Sequence, residues 1–155
     1  MHAPGAVWVL IALGLVLVAF VVYSQIQDSR AQRRAAALHV EAVEFEGKKN
    51  LQAAYRRYTW LCDVATFRPS GGGESSCESA ARLNSTISAA YDETVAALNR
   101  YRKAKGRYPD SLDEVKEQVP PSLVPVLSGF KYIREGDTKA SILTGIEVSV
   151  VFSLK

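Results

Sequence analysis

Histidine and cysteine are scarce in this 155-residue chain: His2 and His39 are the only histidines, Cys62 and Cys77 the only cysteines. A histidine general base, or a zinc site of mixed Cys and His ligands, therefore has little to be built from. No serine or cysteine stands beside an evident base, and the glycine-rich stretch lacks the lysine and spacing of a P-loop. An excess of charge is missing too. The formal net charge is +3, and from Val64 onward twelve basic residues face eleven acidic ones, which excludes a broad nucleic-acid footprint. These scarcities predict a non-enzymatic protein with no cofactor, no metal site, no nucleic acid and no small-molecule substrate.

Charge of either sign is absent from Gly5 to Tyr23, a run of nineteen residues made almost wholly of Val, Leu, Ala and Ile. As a helix rising about 1.5 Å per residue, such a run nears the ~30 Å of a bilayer core. Trp8 and Tyr23 lie toward its two ends, as interfacial aromatics do. A cleaved signal would want basic residues before the run and a small-x-small site after it, and neither is present. The expectation is an uncleaved transmembrane anchor over residues 1–23.

Cys62 and Cys77 have fourteen residues between them, including Pro69 and Gly71–Gly73. A disulfide closing a loop of that length is worth ~3 kcal/mol to a small domain, and two unrelated thiols are the alternative. A bonded pair implies an oxidising compartment, whereas Arg30, Arg33 and Arg34 just after the apolar run favour a cytoplasmic position for the C-terminal remainder of the chain. The two signals conflict. The expectation is a C-terminal domain on the periplasmic side of the inner membrane. The runner-up is a cytoplasm-facing, membrane-anchored helical scaffold.

Residues 24–63 contain no proline and favour a helical stalk, with Gly47 as the natural break. Its apolar positions, among them Leu38, Val43, Leu51, Tyr55 and Tyr58, suit either a partner helix or the chain's own second helix; the heptads are too irregular to specify a coiled coil. Residues 64–78 form a Gly/Ser loop. A second helix is predicted from about Glu78 to Lys105, with Leu83, Ile87, Tyr91, Val95, Leu98 and Tyr101 as one apolar stripe.

That helix meets a hard stop. Lys103 and Lys105 offset the negative end of the helix dipole, Gly106 suits the left-handed cap, and Pro109 prevents an immediate restart. Ser111 and Glu114 have capping-box spacing, so Leu112 to about Gln118 starts a short helix. Tyr101 and Tyr108 bracket the corner. The five cations from Arg100 to Arg107 read mainly as a charged helix end. Pro120, Pro121 and Pro125 then predict an extended path, followed by strands at Phe130–Glu135, Lys139–Thr144 and Ile146–Leu154, the last with period-two alternation.

The sequence of features from the helix through Gly106-Arg107-Tyr108-Pro109, Ser111-Leu112 and an acidic short helix to β-hairpins resembles the soluble domain of pseudopilins, the pilin-like subunits of type II secretion. The resemblance covers residues 79–155 and lacks the prepilin leader, its processing site and the glutamate of the family's apolar helix. It implies an α+β fold: an N-terminal transmembrane helix continuing into a long helix, then a helix packed on a small three-stranded antiparallel sheet. It further implies an accessory or structural subunit of a bacterial envelope complex. Expected contacts are the lipid bilayer and other envelope proteins, the latter through the stalk helix, the sheet edge and a corner comprising Tyr101, Gly106, Tyr108, Pro109, Ser111, Leu112 and Glu114.

Overall fold

The structure, a computed structural model, describes the backbone of residues 4–65, 69, 73–137, 139–146 and 149–153. Within these, the side chains of residues 4–12, 64, 65 and 149–153 fall outside the description. The chain divides into two compact units, Met1–Ala37 and Leu38–Lys155.

Helix α1 runs from Pro4 to Gly47. Its described apolar part, residues 13–23, is exposed throughout, its large side chains ranging from 48% at Val22 to 68% at Phe20. The stop after Gly47 is not made by the glycine itself. Lys49 adopts the left-handed conformation (φ 61°), its N–H donates to the Glu46 carbonyl, and the Asn50 N–H donates to the Phe45 carbonyl. This is a Schellman closure with lysine at the position that usually takes glycine. Asn50 then opens α2 (Leu51–Ala65), its side-chain oxygen accepting from the Ala53 N–H at 3.3 Å.

Helix α3 spans Ser76–Lys105. It begins two residues before the expected start because Ser75 and Glu78 form a complete capping box, the Ser75 N–H donating to Glu78 at 2.7 Å. The predicted stripe is its core face: Leu83, Ile87 and Leu98 are buried, with Ala90, Ala97 and Thr94 between them. Thr94 is tolerated there because its hydroxyl donates to the Ala90 carbonyl at 2.6 Å.

After the corner the chain makes two 3-10 helices, Leu112–Gln118 and Val124–Gly129. The second corrects the extended path expected from the prolines. Pro125 sits in its first turn, where a fixed φ is favourable and the missing N–H leaves no bond unmade. Strands β1 (Lys131–Arg134), β2 (Lys139–Leu143) and β3 (Ser149–Ser153) follow. β2 is central, pairing antiparallel with β1 (Tyr132 opposite Ile142) and with β3 (Ser141 opposite Val151). The alternation predicted for Val148, Val150, Phe152 and Leu154 lies outside the described side chains.

The expected fold class is corrected. This is a mostly helical fold with a small antiparallel sheet, rather than a helix laid on a sheet behind a transmembrane helix. α3 packs mainly on α2 and on the two 3-10 helices. The core joins Ile87 and Leu98 of α3 to Tyr108, Val115, Val126 and Phe130, and the sheet adds Ala140 and Ile142. The proline-rich segment, by coiling, takes the place the sheet was expected to fill.

Among the described residues no helix is long and apolar enough to cross a membrane. The described apolar part of α1, residues 13–23, reaches only about 16 Å before Ser24 and Gln25. The side chains of the preceding part of the expected anchor, including Trp8, are outside the description.

Candidate interaction surface at the helix corner

Gly106 ends α3 in the left-handed conformation (φ 76°), its N–H donating to the Arg102 carbonyl at 2.8 Å. A residue with a Cβ is disfavoured there, and glycine, which has none, lets the chain turn within one residue. Tyr108 then enters the core at 2% exposure. Its N–H donates to the Asp137 carbonyl at 3.2 Å, and the Arg102 guanidinium lies 5.5 Å from its ring centre. Pro109 is buried beside it, and its carbonyl accepts from the Tyr132 hydroxyl at 2.9 Å. Burial of Tyr132 pushes its hydroxyl pKa up to about 12, so it remains a donor.

Glu114 ties the turn together. One of its oxygens accepts from the N–H groups of Asp110 (2.6 Å) and Ser111 (3.3 Å); the other accepts from the Tyr101 hydroxyl at 2.5 Å. The Tyr101 bond, followed by the backbone N–H of Asp110, holds the Glu114 carboxyl below the usual carboxylate range. The same bond raises the Tyr101 phenol. Leu112 is buried directly behind Ser111. All seven corner residues named from the sequence are thus brought into one turn, with Tyr108, Pro109 and Leu112 facing inward.

Three of the five neighbouring cations have structural partners. Arg100 donates to the Gln118 carbonyl at 3.0 Å, Arg102 covers Tyr108, and Arg107 pairs with Asp110 at 3.2 Å. Lys103 and Lys105 stay exposed. Sequence reasoning missed Arg134, which bridges Asp110 and Asp137 and also donates to the Gly136 carbonyl at 2.9 Å. Asp137 stands only three residues from it, but Asp110 is 24 residues away, and local spacing carries no signal for that longer bridge. Beside the corner lies a groove of about 310 Å³, with Leu112, Leu127 and Phe130 as its apolar lining and Asp110, Asp113 and Lys116 as its charged lining.

Two other features frame the domain. Cys62 and Cys77 are joined by a disulfide, with Cα atoms 4.8 Å apart, linking the end of α2 to the start of α3. The glycine-rich residues between them fall largely outside the described residues. Arg82 of α3 reaches Glu46 at 2.8 Å and Glu74 at 3.0 Å, which raises its pKa further above the ordinary guanidinium value. These anchors settle which helices pack together. They offer no chemistry for bond breaking.

Among the described residues no group of three or more His, Cys, Asp or Glu side chains converges to hold a metal ion. His39 stacks edge-on with Tyr58 at 5.6 Å, and burial lowers its pKa. No family model, curated protein or solved structure matches this chain.

Proposed function

We propose that the chain is a non-enzymatic envelope protein, attached to the bacterial inner membrane by the apolar beginning of α1 and presenting residues 38–155 on the periplasmic side. It acts there as an accessory or structural subunit of a membrane or secretion complex, in the manner of a pseudopilin-like domain. The observation that carries the reading is the environment of residues 13–23. Successive helical residues point about 100° apart, so the exposure of Leu15, Val16, Leu17 and Val18 (61–66%) leaves apolar surface on every side of the helix. A helix resting on a soluble core keeps one polar face. One that is apolar all round needs lipid or other apolar helices about it.

The Cys62–Cys77 crosslink supports an oxidising compartment. The corner, the α1 face bearing Val40 and Val43, and the sheet edge at β1 are the surfaces offered to envelope proteins; Ile133 of β1 is partly exposed. Arg30, Arg33 and Arg34 favour the second reading, a cytoplasm-facing scaffold.

Thiol mapping in intact cells separates the two. With a membrane-impermeant maleimide, the proposal expects Cys62 and Cys77 to label only after reduction, and the protein to co-fractionate with inner membrane. Labelling that needs lysis but no reduction would replace it with the scaffold reading, and recovery in the soluble fraction would remove both.

A further inference from the structure

Val22, Gln25, Ile26, Ser29, Arg30 and Arg33 line a shallow groove along one side of α1. Their spacing of three and four places all six on a single helical face about 16 Å long. Along that face the apolar Val22 and Ile26 alternate with the uncharged Gln25 and Ser29, and the cationic Arg30 and Arg33 follow. A phospholipid likewise runs from an apolar acyl chain through an uncharged ester to a phosphate.

We infer that this face seats an anionic phospholipid, its acyl chain along Val22 and Ile26 and its headgroup at Arg30 and Arg33, with Arg34 flanking. The inference rests on the membrane attachment proposed above. All three arginines are exposed, and no ion pair or hydrogen bond engages them among the described residues. The one nearby carboxylate, Asp28, lies about 200° round the helix from Arg30 and about 140° from Arg33, so it faces away. The Ser29 hydroxyl is already committed to the Gln25 carbonyl at 2.8 Å, which leaves the guanidinium groups as the charged donors of the groove, with the uncharged Gln25 amide beside them. Arginine matches this task because its fork binds phosphate oxygens in pairs while its stem lies along apolar surface. A nucleic acid would have no use for the apolar half, and the face continues directly into the exposed apolar run ending at Tyr23. Together these features select a lipid.

The test uses the full chain, in detergent, diluted onto vesicles of phosphatidylcholine alone or of phosphatidylcholine with phosphatidylglycerol, with association read by flotation. Each arginine near an anionic surface is expected to strengthen association about fivefold, so the R30Q/R33Q/R34Q variant should lose a preference of roughly one to two orders of magnitude. Salt should erode that preference in the wild type but not in the variant. The variant's circular dichroism should be unchanged, since all three positions are exposed. Equal association of the wild type with both vesicle types, or a preference that survives in the variant, overturns the lipid assignment while leaving attachment intact. Inorganic phosphate that removes the preference at matched ionic strength would mean a free-anion site, and also overturns it. Failure to associate with either vesicle type overturns the attachment reading itself.

Discussion

Adding one methyl group at Gly129 tests whether the junction of α2 with the second 3-10 helix is as close as described. A Cβ built there falls within the side-chain amide of Gln52. Gln52 is only 3% exposed, and its Nε2 donates to the Val126 carbonyl at 3.1 Å. In Gly129→Ala the amide has to swing aside. That breaks a buried hydrogen bond and leaves two polar groups short of partners, at a cost of ~1–3 kcal/mol. Accommodating the added carbon costs about 1 kcal/mol more. The total, roughly 2–4 kcal/mol, lowers the melting temperature by roughly 10 °C for a domain of this size. Near-ultraviolet circular dichroism of the full chain in detergent would report it. The mechanism is isolated by repeating the substitution in a Gln52→Ala background, where the space is already open. There it should cost below about 1 kcal/mol, with the coupling between the two sites making up the difference. An equal cost in both backgrounds would refute the reasoning, as would a neutral effect in the wild type.

Replacing both Cys62 and Cys77 by serine is expected to destabilise residues 38–155 by ~3 kcal/mol, from the entropy of a closed loop with sequence separation 15. Denaturant melts with and without reductant check this, since reductant should weaken the wild type alone. Acid titration checks Glu114: its folded pKa lies below the ordinary value, so its contribution is present above about pH 4.3 and is lost as pH falls through the depressed value. In Glu114→Gln that acid-dependent loss should disappear from the stability profile.

Local signals make the corner legible in the sequence. Gly106, Pro109 and the Ser111–Glu114 pair each act within a few residues, and the turn they predict is the one that forms. The same capping signature is present at Ser75 and Glu78, yet apolar periodicity alone puts the helix start later. The break expected at Gly47 is where α1 ends, but the device that makes it is not the one the sequence suggests. Gly47 is the residue with the freedom to turn, but the left-handed position falls on Lys49, where the following Asn50 caps α2.

The non-local part of the fold is where sequence reasoning fails. Three nearby prolines read as an extended path because each opposes a long helix; a short 3-10 helix accommodates Pro125 in its first turn, while Pro120 and Pro121 lie before it. That ambiguity in one segment shifts the whole fold class, since the segment supplies Val126 and Leu127 to the core in place of strand residues. Arg134 is invisible for the same kind of reason. Asp137 is three residues from it, but Asp110 is 24 residues away and meets it only in the folded domain.

The crosslink between the end of α2 and the start of α3 also governs what happens if the chain is cut. Any peptide bond cleaved between Cys62 and Cys77 leaves the two fragments covalently joined, and the packing of α2 on α3 holds their helices in register. The glycine-rich connection is therefore expendable as a connection once the bridge has formed. A nicked protein would migrate as one species until reduced, and this segment is the place in the domain where a tag, a protease site or a new terminus can be introduced while α2 and α3 stay tethered.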